Sequence, residues 1–406
     1  MKTLLAALAL TVLSLVGARL AFPARRSSVG VRLFLSSGSH FVVFGFLLGP
    51  RITGLLTDEV LAGLAAFVAL GLGWIGLLFG LQFDRRTLKT FRRAELGLAF
   101  GEAAIAWLVL AGAGALALVA SGLWSTTAAP FVLAAAAAGC VSSPTGAAVV
   151  FGSARVRGPV ARLSSLCASL DGAVGLIALA VVFAVFHPVQ EPGLLDIGLL
   201  RWIVTPILLA LIFGWLFYSL TRDRIGPQEF VLFLLGLALV LGGSNLVLGT
   251  SALFAAALTG MLIANVSPIR RRTFAALVAW EKPVHVLFLL LAGSLLSLSS
   301  WLILPLLIAF LSLRIGGKLL GGLPARRLVS PNPTVRQFGL ALISQGGLSV
   351  AIAVSALLTL GTTIPDALPA ALMFDVVVLG VMANELIGPP LLKRVLVAGG
   401  ELTPTG

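Results

Sequence analysis

The sequence predicts an all-α polytopic membrane protein of about 13 transmembrane helices, arranged as inverted repeats with two discontinuous helices. Hydrophobic residues make up 59% of the 406-residue chain, charged residues only 11%, and the mean hydropathy is +1.10. A soluble protein of that length could not give such a composition a watery surface. Lysine and arginine fall in short clusters between the apolar runs. Two of those runs are interrupted by polar and helix-weakening residues at corresponding places in the two halves of the chain.

A helix that crosses the hydrocarbon layer needs ~20 apolar residues. Segments of this kind occur at about 3–21, 30–50, 59–82, 94–122, 127–152, 161–187, 194–220, 228–247, 249–266, 283–298, 300–322, 334–361 and 367–392. Basic clusters follow the odd-numbered segments: Arg19, Arg25 and Arg26; Arg85, Arg86, Lys89, Arg92 and Arg93; Arg155, Arg157 and Arg162; Arg222 and Arg224. The series continues with Arg270, Arg271, Arg272 and Lys282, then Arg326, Arg327 and Arg336, and ends at Lys393 and Arg394. Loops after even-numbered segments hold few, Arg51 being the exception. The positive-inside rule then places the N-terminus outside and the C-terminus in the cytoplasm of a cell (plasma or inner) membrane.

The opening MKTLLAALALTVLSLVGA has the charged start, apolar run and small residues of a cleavable signal peptide. Arg19, Arg25 and Arg26 directly after it are unusual for a translocated mature start, so we read it as a retained first helix. Thirteen segments divide as six, a linker and six. The two sixes then enter from opposite sides, which makes them inverted repeats.

The composition also narrows function. A sequence pI near 11.4 and a net charge of +13 invite a nucleic-acid partner, but the basic residues are scattered as topology signals, so none is expected. Cys140 and Cys167 lie in apolar segments and form no metal-like spacing with His40, His187 and His285. Neither a Walker A nor a Rossmann loop is present. The expectation is a transporter driven by an ion gradient, not an enzyme, with no cofactor and no metal beyond a transported monovalent ion.

Asp171 is the only charged residue between Arg162 and His187, within LSSLCASLDGAVGLIALAVVFAVF. A carboxylate near the centre of a spanning helix costs about 2.5–3.5 kcal/mol on insertion scales and usually faces a cavity, a partner or an ion path. We read Asp171 as an ion or proton site; the plainer alternative is a buried aspartate that only pairs with a cation or caps a broken helix.

The fifth segment carries Val141-Ser142-Ser143-Pro144-Thr145-Gly146, where proline removes an amide donor and hydroxyls can satisfy the freed backbone. The twelfth carries Ser344-Gln345-Gly346-Gly347-Leu348-Ser349, whose paired glycines weaken a helix. A simple kink explains either one alone, but the two occupy equivalent repeat positions. Half-helix ends so exposed need compensating charge, which Arg314 and Lys318 in LRIGGKLLG could supply. Arg314 suits a permanent counter-charge; Lys318, about one turn nearer the cytoplasm, is expected to snorkel. Glu102, Asn245, Asn384 and Glu385 read as interhelical hydrogen-bonding groups. Asp375 is left open as a second titrating site.

These residues resemble the monovalent cation/proton antiporter superfamily, whose membrane domain is that of sodium/proton exchangers. The resemblance runs through FGFLLGP at 44–50, LLFGLQFD at 77–84, SSPTGAAVV at 142–150, SLDG at 169–172, LFAAALTGMLIAN at 253–265, LFLLLAGSLLSL at 287–298, LRIGGKLLG at 313–321, SQGGLSVAIA at 344–353 and NELIGPPLLKRVL at 384–396. It implies one transporter domain over 1–406 that forms a homodimer. Scaffold helices would lie at about 1–92 and 228–298, a mobile core at about 94–187 and 300–395, and a linker helix at about 194–220.

It also implies that Asp171 is the carrier carboxylate and that the Ser143-Pro144-Thr145 break crosses the Gln345-Gly346-Gly347 break beside it. Arg314 would occupy the family's basic position. Relatives commonly carry Asn-Asp or Asp-Asp where this chain has Leu170-Asp171, and electroneutral ones tend to carry glutamate where it has Leu166. Ser142, Ser143, Thr145 and Ser169 remain as oxygen ligands.

One carboxylate can hold a proton or a monovalent cation but not readily both, so the expected function is proton exchange for Na⁺ or K⁺ by alternating access, one for one. The competing readings are a non-transporting membrane sensor or scaffold and an organic-anion symporter.

Overall fold

Among the described residues the long apolar runs fold mostly into helix, because in lipid a backbone must satisfy its own hydrogen bonds. The computed structural model describes residues 2–20, 38–120, 122, 125, 127–154, 156, 158–186, 199–222, 226–248, 250–329, 333–361, 364 and 367–402. In chain order the principal helices are α1 (Lys2–Leu20), α2 (Ser39–Leu48), α3 (Ala65–Leu81), α4 (Arg93–Ala120), α5 (Ala129–Gly139), α6 (Pro144–Ala154) and α7 (Pro159–Phe186). They continue with α8 (Leu199–Leu220), α9 (Pro227–Leu248), α10 (Ala252–Val266), α11 (Arg270–Ser294) and α12 (Ile303–Gly322). A 3₁₀ segment (Pro333–Leu342), α13 (Gly347–Leu360) and α14 (Ala367–Ala398) complete the chain.

Among the described residues, eight spans are long and apolar enough to cross a membrane, and five shorter apolar helices accompany them. The tenth predicted segment, at 283–298, is corrected: α11 runs from Arg270 to Ser294 with Pro283 inside it. Arg270–Arg272, Glu281 and Lys282 depress the local hydropathy, yet they ride on a helix whose Thr273 and Leu277 are buried. Arg25, Arg26, Arg155, Arg157, His187 and Arg224 lie outside the described residues, as do the side chains of Arg19, Asn245, Arg326 and Arg336.

The helices associate in two groups. In the first, α3 lies against α9, α10 and α11, while α1 and α2 lie against α11 and α8 against α10. Small residues permit the approach. A Cβ on Gly73 would lie 1.9 Å from the Ala238 carbonyl oxygen of α9, and one on Gly80 2.0 Å from that of Ala257 in α10. Such backbone-to-backbone contact is how helices gain packing energy where lipid removes the hydrophobic drive.

In the second group α4 packs on α5, α7 and α12, and α13 and α14 pack on α5 and on each other. Outward faces such as Leu208, Leu211, Ile212 and Trp215 of α8 are exposed and apolar, which suits lipid.

Candidate functional site

The chain breaks helix at two places and brings the breaks together. Between α5 and α6, residues 140–143 leave the helix; between the 3₁₀ segment and α13, residues 343–346 do so. The Ser143 amide donates to the Ser344 carbonyl at 2.8 Å, which fixes the crossing. Pro144 begins α6, where its missing N–H costs nothing.

The carbonyls orphaned at the two C-terminal half-helix ends are accounted for one by one. Arg314, fully buried on α12, donates from Nε to Gly139 O at 2.8 Å and from Nη1 to Ile343 O at 2.7 Å. Its Nη2 donates to Val141 O at 2.9 Å and Leu342 O at 3.3 Å. Gln345 Nε2 donates to Ala138 O at 3.0 Å, and Asn384 Nδ2 donates to Gln345 Oε1 at 2.7 Å. The planar guanidinium fork thus joins the negative ends of two half-helices. Arg314 is a counter-charge to carbonyls, and every hydrogen bond described for it goes to one.

The basic partner of Asp171 is instead Lys318. Its Nζ donates to Asp171 Oδ2 at 3.0 Å and to Glu102 Oε1 at 3.1 Å, and all three side chains are fully buried. The snorkelling expected of Lys318 is therefore corrected: its ammonium, and not the Arg314 guanidinium, is the cation paired with Asp171. The reason is local: α4 and α12 meet through Gly317 and Gly321, whose Cβ atoms would lie 2.9 Å from Ala106 Cα and 2.6 Å from Glu102 O. That approach encloses Lys318 and denies it a route to the surface.

Asp171 Oδ2 also accepts the Ser142 amide at 2.8 Å. Asp171 Oδ1 and Glu102 Oε2 are buried and have no hydrogen-bond partner among the described residues.

A cavity of about 290 Å³ lies beside this cluster, between the two helix groups. Ser142, Ser143, Pro144, Thr145, Gly346 and Gly347 line it from one group, together with Ala168, one turn before Asp171 on α7. Gln82, Glu281, Lys282 and His285 line it from the other. Ser142 Oγ donates to Leu342 O at 2.8 Å, and the Ser143 and Thr145 hydroxyls share a hydrogen bond of 2.6 Å. Ser169 is half-buried on α7 and is not in the cavity wall.

Asp375 sits elsewhere. Its carboxylate accepts from Ser297 N at 3.0 Å, Ser297 Oγ at 2.7 Å and Leu298 N at 2.8 Å. It thereby pins Leu298, whose φ of 46° is unusual for a branched residue. Leu170 and Leu166 are buried among apolar side chains.

Two site residues were under-read in the sequence. Glu102, taken as a hydrogen-bonding group, is half of an ion pair, and the only signal was an isolated acid in an apolar run. Glu385 lines the cavity and accepts the Ser39 hydroxyl across the two helix groups.

A polytopic helical protein with two crossed breaks around a buried carboxylate–ammonium cluster is a secondary-transporter architecture. The sequence model of the sodium/hydrogen exchanger transmembrane domain matches residues 12–398. The chain belongs to the sodium/hydrogen exchanger family, within the monovalent cation/proton antiporters.

Its fold is similar to that of the sodium proton antiporter MjNhaP1 from Methanocaldococcus jannaschii at pH 8, with 16% identity, a TM-score of 0.70 and 99% of each chain covered. A second structure of that antiporter, from electron microscopy, covers 90% of this chain and 91% of its own at 16% identity and a TM-score of 0.59. No curated protein matches the sequence.

Proposed function

We propose that this protein exchanges one proton for one Na⁺ or K⁺ by alternating access, with Asp171 as the shared carrier site. The observation that carries this reading is the half-held carboxylate. Oδ2 is fixed by the Ser142 amide and Lys318, while Oδ1 is unpartnered, and the neighbouring Ser142 and Ala168 line a mostly apolar cavity that carries a few polar groups. A buried anionic oxygen without a partner is costly, so a proton or a desolvated cation gains there what water would otherwise supply. Ser142, Ser143 and Thr145 offer oxygens along the cavity wall.

The charge count supports a one-for-one exchange. With Lys318 positive and Glu102 negative, the cluster is neutral when Asp171 holds a proton and equally neutral when it holds a monovalent cation. Lys318 has Glu102 to balance it in both loaded states. The two helix groups, in contact on either side of the cavity, supply a scaffold and a core that can move against each other. A homodimer, a plasma or inner membrane location and an outside N-terminus belong to the same proposal.

The test is a proteoliposome assay of internal pH with Na⁺, K⁺ and Li⁺ imposed separately, on wild type and Asp171→Asn. The variant keeps the shape of the side chain but cannot ionise, so coupled exchange should vanish while the melting temperature stays near wild type. Full cation-driven proton flux from the variant would remove Asp171 as carrier.

A further inference from the structure

Lys318 has three donors and spends two of them on two different carboxylates, Asp171 and Glu102. The two acids face it from different helices. Glu102 belongs to α4, which is locked to α12 by the close approach at Gly317 and Gly321, so its carboxylate keeps station with Lys318. Asp171 belongs to α7. Each carboxylate is fully buried, touches the ammonium through one oxygen, and leaves its other oxygen without a partner. Arg314, one turn away on the same helix, is committed to carbonyls and does not compete for either acid.

Taking the antiport reading as given, we infer that Glu102 is a positioning residue that receives Lys318 when the transported cation reaches Asp171. An incoming cation and the ammonium compete for the same carboxylate. A lysine released into a buried site with no second anion would be an uncompensated charge, which such sites do not tolerate. Glu102 Oε2 is the acceptor for that moment: Nζ moves off Asp171 Oδ2 and engages both Glu102 oxygens. Asp171 is then free to hold the cation, while the ammonium remains paired at all times. On proton loading Nζ shares the two acids again. No bond other than hydrogen bonds and ion pairs changes in the step.

The inference gives Glu102 a specific kinetic signature. With Glu102→Gln the ammonium has Asp171 as its only carboxylate, so a cation must evict it without help. The apparent KM for Na⁺ in proteoliposomes should rise about tenfold, the equivalent of ~1.4 kcal/mol, with kcat kept within about twofold. Glu102→Asp, which keeps the charge but not the reach, should fall between. Adding Lys318→Gln to Glu102→Gln removes the competitor and should bring KM back down.

An unchanged KM in Glu102→Gln, or a KM that stays raised in the double variant, would overturn the inference. Should the Gln variant not fold, a wild-type structure at saturating Tl⁺ gives the answer directly. Nζ on both Glu102 oxygens supports the transfer, and Nζ still on Asp171 Oδ2 beside a bound ion refutes it. Failure here is separable from failure of the antiport reading, because that reading stands or falls on Asp171→Asn, whatever Glu102 does.

Discussion

Arg314 holds four carbonyls from two chain breaks in one planar group, and no other residue type has that reach. Replacing it with alanine leaves Gly139, Val141 and Ile343 facing a buried void, while Leu342 O keeps the Ser142 hydroxyl, at roughly 1–3 kcal/mol for each acceptor that finds no substitute. Arg314→Ala should therefore lower the melting temperature in detergent steeply and abolish transport. Arg314→Lys should recover little of either, since a point charge cannot replace a fork. A wild-type melting temperature for the alanine variant would show that water reaches those carbonyls.

Asp171 and Arg314 were both legible in the sequence, because each is a charge in a run where charge is expensive. The partnership of Lys318 with Glu102 was not, since it joins residues 216 positions apart and has no local motif. What decided it was glycine packing between α4 and α12, a property of the assembled pair.

At the scale of elements, both helix interruptions could be read directly from Pro144 with its hydroxyl neighbours and from Gly346-Gly347. Their crossing entered the reading only through family resemblance, and the Ser143–Ser344 hydrogen bond now gives it a physical basis. Less visible were the 3₁₀ form of Pro333–Leu342 and the cap on α7. There Glu401 accepts the Val160 amide at 2.6 Å and the Ala161 amide at 3.0 Å, and a Cβ on Gly158 would lie 2.1 Å from its carboxyl carbon.

No sequence signal joins a tail residue to a helix that starts more than two hundred positions earlier, though the chemistry is an ordinary N-terminal cap. Glu401→Ala should cost about 1 kcal/mol and speed amide hydrogen exchange at Val160 and Ala161. Unaltered exchange at those two amides would argue against the cap.

A second element prediction concerns the face between the helix groups. A Cβ on Gly347 would lie 2.1 Å from His285 Cε1 of α11, so Gly347→Ala should slow transport without unfolding the protein. His285→Ala in that background should restore it. Failure of the second change to rescue would place the defect inside α13 instead.

For the whole molecule the decisive quantity is the charge moved per cycle. Asp375, which the sequence leaves open as a second carrier, has both oxygens tied down by three hydrogen bonds to Ser297 and Leu298. On the proposed reading Asp171, with its unpartnered Oδ1, is the exchanging acid, and Lys318 stays paired to Glu102 in both loaded states.

A carrier that crosses with the same net charge whether it holds H⁺ or a monovalent cation does no electrical work, so the membrane potential should not move its equilibrium. One additional charge per cycle would be worth ~2.3 kcal/mol per 100 mV, more than a tenfold displacement of the ion ratio at balance. The measurement is Na⁺-driven proton flux in proteoliposomes at potentials clamped by valinomycin and K⁺, with K⁺ transport by the protein itself controlled separately. The reversal point should stay where the Na⁺ and H⁺ gradients are equal at every clamped potential. A reversal point that tracks voltage would mean that a second group gives up or takes on charge during the cycle, and Lys318 would be the first to test, because it is the remaining ionisable partner of Asp171.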